Sequence, residues 1–423
     1  MAEFGEGFDF EGDQTTIDGG VGAVVSIPDY PTLAYLGPFE ILGRLARGGM
    51  AEVYLAREPQ ESGEPRHVVL KRVLPERESD EDFIQMFRSE GSLAVRLYHP
   101  NVCHVYECGE LEGTTFMTLE FVYGVTLRKL LRRASSEGGL PPRIAAHIAA
   151  KVALALGYVH QAKGVDGRPL DIIHRDVSPH NVMIGWDGRI KLLDFGIAKT
   201  SNEEEEAGVL KGKHSYLSPE QAQGRPLDHR CDIFALGICL YEALTCRPLY
   251  HRDNMLATLE AIIREPTPSA RAHNDQVPPE IDAVVHRALQ KDPANRFQTG
   301  RQMADAIDDF LWRSGGMVGP FDVVKVLDEL FPEDERSPLP ANAANLTGSF
   351  QALTGSLPLT GSFGPFGTQS ERPRSESAAE TVAPSAPAEG GTPARAGVPL
   401  WFIGVLVALV ALAFAGAAAF LTQ

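Results

Sequence analysis

Hydrophobic residues recur with two different periods along this chain, and the period changes near residue 120. Before that point, residues 39–45, 52–56, 68–70, 102–107 and 115–121 alternate apolar with polar side chains or are rich in β-branched ones, and each predicts a strand. A single helical pattern interrupts them at 80–97, with Phe83, Met86, Phe87, Leu93 and Leu97 on one face. After that point, residues 126–133, 141–160, a segment opening at Asp232, 299–313 and 320–331 carry helical spacing. The stretch 141–160 is apolar on most sides, which predicts a buried helix. The pattern predicts an α+β chain: a β-rich part from 38 to 120, a helical part from 121 to 313, and an accessory helix within 314–332.

The flanks follow no such pattern. Residues 1–37 contain seven acids and no Lys or Arg, with glycine punctuation, and are expected to be a disordered arm. No basic start followed by an apolar core is present, so no signal peptide is expected. From 333 to 397 the composition turns to Ser, Pro, Ala, Gly and Thr, and a linker is expected. Within it the unit Leu-Thr-Gly-Ser-apolar recurs at 346–350, 353–357 and 359–363. Residues 400–421 then carry no charge over 22 positions, enough at about 1.5 Å per residue to cross a hydrocarbon core of about 30 Å. A transmembrane helix is therefore expected over 398–421. Only Thr422 and Gln423 follow, and Arg372, Arg374 and Arg395 precede it, so a tail anchor with the folded part on the cytoplasmic side of the inner membrane is expected.

Charge and cysteine content narrow the chemistry. A net charge of −17 over 423 residues argues against a general nucleic-acid binder, which needs cations to neutralise phosphates. The five cysteines, Cys103, Cys108, Cys231, Cys239 and Cys246, lack metal-ligand spacing and are expected as reduced thiols.

Candidate chemistry centres on Ile172-Ile173-His174-Arg175-Asp176-Val177-Ser178-Pro179-His180-Asn181, an apolar lead-in to an acid and an amide. Further on, Ile190-Lys191-Leu192-Leu193 leads into Asp194-Phe195-Gly196. Upstream, Leu45-Ala46-Arg47-Gly48-Gly49-Met50-Ala51-Glu52-Val53 places small residues in a strand-turn-strand, and Val68-Val69-Leu70-Lys71 ends a strand in a lysine. Downstream stand Ser218-Pro219-Glu220, Asp232 and Lys291-Asp292-Pro293-Ala294-Asn295-Arg296. Taken singly, each is a turn, an edge cation or a surface charge. Their shared order over 39–313 resembles that of the bacterial eukaryotic-like (Hanks-type) Ser/Thr protein kinases.

The resemblance implies a bilobal protein kinase fold, with a β-rich small lobe at 38–120 and a helical large lobe at 121–313, binding ATP and two magnesium ions between them. It implies Asp176 as catalytic base, Asn181 and Asp194 as metal ligands, and a Lys71–Glu90 ion pair that positions the α- and β-phosphates. It also implies that Leu45, Ala46, Arg47, Gly48, Gly49 and Val53 cover the nucleotide, that backbone groups of Glu120 and Val122 hold the adenine, and that Leu119 guards the pocket behind it. Asp232 would anchor the catalytic loop, and Arg296 would pair with Glu220. Protein substrates, autophosphorylation and no nucleic-acid partner follow from the same resemblance, and the association state is left open between monomer and dimer.

Two departures bear on activity. Ala46 and Ala51 replace the outer glycines of the family's phosphate loop, and Ser178 stands where most Ser/Thr members carry lysine. Lys213 in turn stands where they carry threonine, which suggests a positional exchange: Lys213 supplies the cation that Ser178 cannot. The alternative is a membrane-tethered pseudokinase that binds nucleotide and transfers nothing. Pro179 points to Ser/Thr acceptors, while His180 keeps Tyr acceptors open.

Overall fold

The computed structural model describes residues 27–61, 63–164, 166–194, 213–340 and 343, all within a compact unit, Met1–Gly355. The apolar span expected at 398–421 falls in a second unit, Ser356–Gln423, outside the described residues. Among the described residues no helix is long and apolar enough to cross a membrane.

The first lobe is a six-stranded antiparallel sheet and one helix. Its strands are β1 (Ala34–Leu36), β2 (Phe39–Arg47), β3 (Ala51–Glu58), β4 (Arg66–Val73), β5 (Val105–Leu111) and β6 (Thr114–Glu120), in the order β1-β2-β3-β4-β6-β5. Helix α1 (Glu81–Ala94) lies between β4 and β5 in sequence. Asp80 is its N-cap, accepting from Phe83 N at 3.1 Å, and thus satisfies one of the helix's orphan donors. Phe83, Phe87, Gly91 and Ala94 form its buried stripe. Gly91 is required by close approach, since a Cβ there would sit 2.4 Å from Cys108 Sγ. The other face of the sheet closes a second small core of Leu36, Phe39, Ile41, Tyr54, Ala56, Val68, Leu70 and Phe116.

The second lobe is mainly helical. It opens with β7 (Gly124–Thr126), α2 (Leu127–Ala134) and α3 (Pro142–His160), followed by β8 (Val182–Gly185) and β9 (Ile190–Leu192). Strands β7, β8 and β9 form a small antiparallel sheet at the junction of the lobes. Then come α4 (Pro219–Ala222), α5 (Arg230–Thr245), α6 (Met255–Arg264), α7 (Pro279–Ala288), α8 (Gly300–Arg313) and α9 (Pro320–Leu330). Helix α5 is buried from Cys231 to Thr245 without a break, so it is the axis on which the lobe is built. Helices α3 and α8 touch backbone to backbone: a Cβ on Gly300 would lie 2.3 Å from Ala153 O.

The pattern of the sequence located β2 to β6, α1 to α3, α5, α8 and α9, but not β1, β7 to β9, α4, α6 or α7, and tertiary contacts moved several element ends. The arm expected to run unstructured to residue 37 is ordered earlier. Gly37 (φ 52°) makes the tight turn that pairs Leu36 with Phe39, and Leu36 is buried in the second core. The strand expected at 102–107 begins instead at Val105 and runs to Leu111, because pairing with β6 continues to the turn at Glu112 and Gly113. The linker expected from 333 starts later, since Leu339 and Ala343 pack on Gly43 of β2.

One buried ion pair locks the lower lobe. Arg296, fully buried in its side chain, donates from both terminal nitrogens to the two carboxylate oxygens of Glu220 at 2.7 Å, the fork geometry that favours arginine. Burial alone would raise the pKa of Glu220, but the Arg296 hydrogen bonds hold it below the ordinary 4.5. Arg296→Met strands this carboxylate, and we expect a loss of ~3–5 kcal/mol in thermal or denaturant unfolding. The stabilisation is present above pH 4.5 and fades as pH falls through the lowered folded value, so the gap between wild type and Glu220→Gln narrows in acid.

Candidate active site

The loop 172–181 is held from below by one carboxylate. Asp232 of α5 accepts from His174 N at 2.8 Å, from Arg175 N at 2.9 Å and from His160 Nε2 at 2.8 Å. Arg175 adopts φ 62°, a left-handed conformation that costs a non-glycine residue energy. The anchored amides hold it there. His174 is fully buried: its Nδ1 accepts from Asp176 N at 3.2 Å, so the ring proton sits on Nε2, which donates to Leu193 O at 2.9 Å. Burial outweighs the neighbouring carboxylates and lowers the His174 pKa, which keeps this neutral tautomer.

The fold brings Asp176 and Asn181 together. Asn181 Nδ2 donates to Asp176 O at 2.8 Å and to Asp176 Oδ2 at 2.9 Å, which fixes the carboxylate's orientation. The backbone of Asn181 accepts from Leu193 N at 2.8 Å, tying the loop to the residue before Asp194. Pro179 O accepts from Arg128 N at the start of α2 at 2.8 Å. Ser178, 2% exposed, has no hydrogen-bond partner for its Oγ among the described residues. Lys213 opens a one-turn helix, Lys213–Tyr216. Phe195, Gly196 and the acidic run 203–206 lie outside the described residues.

Lys71 enters the same cleft from β4. Its Nζ lies 3.4 Å from Asp194 Oδ1. Burial alone would lower its pKa, but the charges of Asp194, Glu90 and Asp176 together raise it, so the ammonium stays protonated. Glu90 thus helps to hold Lys71 cationic, and the charge of Asp194 does so more strongly. Above, β2 and β3 turn through exposed Gly48 and Gly49, closed by Gly48 N to Ala51 O at 2.9 Å. Arg47, expected over the nucleotide, is turned toward carboxylates: Glu52 at 3.3 Å and Glu76 at 3.4 Å.

Two features escaped the sequence. Glu52, 1% exposed, gathers Arg44, Arg47 and Arg72 and the Tyr54 hydroxyl (2.7 Å) behind the glycine turn. Glu120, expected for its backbone, also uses its side chain, accepting from Lys191 Nζ at 2.7 Å and His104 N at 3.2 Å. That bond joins the segment between the lobes to the strand preceding Asp194. Pairing across sequence separations this large has no local signature.

Asp194 and Asn181 offer hard oxygen donors, which suit magnesium. Among the described residues no group of three or more His, Cys, Asp or Glu could hold a metal.

Comparison with known proteins agrees with this geometry. The family model described as "Protein kinase domain" matches residues 39–307. Similar proteins include tyrosine-protein kinase MasK of Myxococcus xanthus (strain DK1622), 37% identical over 328 residues, covering 76% of this chain and 50% of that protein. Serine/threonine-protein kinase PknB of Mycolicibacterium smegmatis is 40% identical over 278 residues, covering 63% of this chain and 42% of that protein. The chain therefore spans half or less of the length of these relatives. The crystal structure of the Mycobacterium tuberculosis PknI kinase domain aligns with a TM-score of 0.51 at 29% identity, covering 66% of this chain and 99% of that domain. The match over 39–307, on a two-lobed fold with Asp176, Asn181, Lys71 and Asp194 in one cleft, means that the chain belongs to the protein kinase family.

Proposed function

We propose that the chain is an ATP-dependent protein kinase that transfers the γ-phosphoryl group to Ser or Thr hydroxyls of proteins, itself included. The observation that carries this reading is the convergence of Asp176, Asn181, Lys71 and Asp194. Asp176, oriented by Asn181, accepts the proton of the attacking hydroxyl. Lys71, kept cationic by the surrounding carboxylates, faces the α- and β-phosphates. The glycine turn closes over the triphosphate: a Cβ on Gly48 would meet only Ala51 O, at 3.7 Å, so no protein atom demands glycine there and the reason lies with the ligand. Asn181 and Asp194 would hold magnesium, which when bound neutralises developing phosphate charge. Glu120 and Val122 supply the adenine contacts.

Acceptor choice rests on the loop and the relatives. Pro179 and the likeness to serine/threonine kinases favour Ser and Thr. Tyrosine is the second reading, favoured by the MasK match over 76% of this chain and by His180. Ser178 cannot offer a cation to the γ-phosphate, and Lys213 supplies it from the neighbouring segment. The apolar span at 398–421 anchors the enzyme in the inner membrane with the kinase domain cytoplasmic, a reading supported by the 22 uncharged residues at 400–421.

Incubated with ATP and magnesium, the purified chain should incorporate γ-phosphate on Ser or Thr by mass spectrometry, and Asp176→Asn should lower the rate by about a hundredfold or more. Nucleotide binding without transfer would leave the pseudokinase. Lys213→Met should depress turnover on the order of a hundredfold, with recovery in Ser178→Lys combined with Lys213→Thr; turnover equal to wild type would refute the exchange. Deleting 398–421 should shift the protein from the membrane to the soluble fraction on cell fractionation.

A further inference from the structure

The chain beyond the family match does more than continue it. After α9, Phe331 is 2% exposed, packed on Trp186 with ring centroids 5.6 Å apart and flanked by the cations of Lys129 and Arg133. Arg133 Nε donates to Leu330 O at 2.7 Å, and Arg133 also pairs with Glu335. These contacts root the segment in the large lobe. Arg336 then lays its guanidinium over Trp186 at 4.8 Å and donates to Asp328 at 2.6 Å and to Phe331 O at 2.9 Å. Its own carbonyl accepts from the Tyr123 hydroxyl at 2.6 Å, at the junction between the lobes.

From there the chain reaches the small lobe. Leu339 sits against β2 at Gly43, where a Cβ would lie 2.7 Å from Leu339 Cδ2 and 3.3 Å from Ala343 Cβ. Arg44 N donates to Ala343 O at 3.3 Å, and Ser337 Oγ lies 3.2 Å from the Tyr30 hydroxyl. One short stretch therefore touches α2, the β8–β9 turn, the inter-lobe junction and the strand that leads into the glycine turn.

We propose that residues 331–340 together with Ala343 are an inter-lobe clasp that positions the small lobe over the nucleotide, with Leu339 as its latch. The proposal rests on the reading of the cleft as a nucleotide site. Opening the cleft rotates the small lobe about residues 121–123 and slides β2 relative to them. The root at Phe331 is deeply buried and stays with the large lobe, so that motion must pull Leu339 off Gly43. The latch is the half-buried Leu339 and the small Ala343 on Gly43, with hydrogen bonds from Arg44 N to Ala343 O and between the Ser337 and Tyr30 hydroxyls, a contact light enough to release and placed to bias the opening. Leu339 and Arg336 are thus positioning residues, acting through β2 and Tyr123 on the adenine slot and glycine turn. A preorganised cleft binds nucleotide more tightly because the ordering cost is met before the ligand arrives.

The test uses the full chain carrying Leu339→Asp, with Leu339→Ala as a milder variant read in the same way should the first fail to fold, and Arg336→Ala as a check on the root. Binding of N-methylanthraniloyl-ADP with magnesium, kcat and KM for ATP, and hydrogen exchange of amides 120–126 without nucleotide are compared with wild type. The expected result is a rise of about fivefold or more in Kd and in KM for ATP, kcat within about twofold, and faster exchange at 120–126. A folded variant with unchanged Kd and unchanged exchange overturns the clasp. So does a fall in kcat at constant KM, the sign of a merely smaller folded fraction. If wild type binds no nucleotide, the kinase reading fails, and the clasp is then decided by the exchange comparison alone.

Discussion

The catalytic loop hangs on the Asp232 carboxylate, and most of the site's geometry follows from it. This group is 1% exposed within a helix that is buried along its length, where an unpaired charge would be prohibitive. Burial alone would raise its pKa, but the bond from His160 and the neighbouring histidines bring it below its usual value, so it stays ionised. Ionised, it accepts two successive backbone N–H groups and holds Arg175 in a left-handed conformation. That bend presents Asp176 to Asn181 and lets His174 reach across to Leu193. Base, amide and the strand preceding Asp194 are therefore one hydrogen-bonded unit.

Above the loop, Lys71, Lys191 and three arginines stand beside carboxylates. Lys71 remains protonated because Asp194, Glu90 and Asp176 outweigh its burial. Lys191 is matched by Glu120, and three arginines share Glu52 behind the glycine turn. Buried charges of this kind stabilise little by themselves, but breaking one partner leaves the other stranded, which enforces a single arrangement. The cost of these pairs is accepted where position matters most.

The segment after α8 extends the same logic beyond the family's boundaries. Helix α9 buries Val323 and Leu327, and its approach is close enough that a Cβ on Gly188 would lie 2.2 Å from Pro320 O. Phe331 and Arg336 then cover Trp186 and lead the chain to the small lobe. The two lobes thus share a second connection, made of side chains, alongside the covalent one.

The sequence by itself determined the class of the fold and most of its strands and helices, because periodicity is local; its motifs, by their resemblance to the family, singled out Asp176, Asn181, Lys71, Asp194 and the Glu220–Arg296 pair, whose members lie 76 residues apart. Other facts were decided only by the folded chain. Arg47 pairs with Glu52, its cross-strand register partner, and with Glu76 of the turn after β4. Glu120 engages Lys191, 71 residues away. Residues 34–36, 333–340 and Ala343 are structured where composition predicted a loose arm and linker, since a few apolar side chains found partners across the molecule. Hydrophobic burial is non-directional and sums over whatever the tertiary fold brings near, so contacts between distant segments leave no trace in local composition and become visible only when the chain is closed.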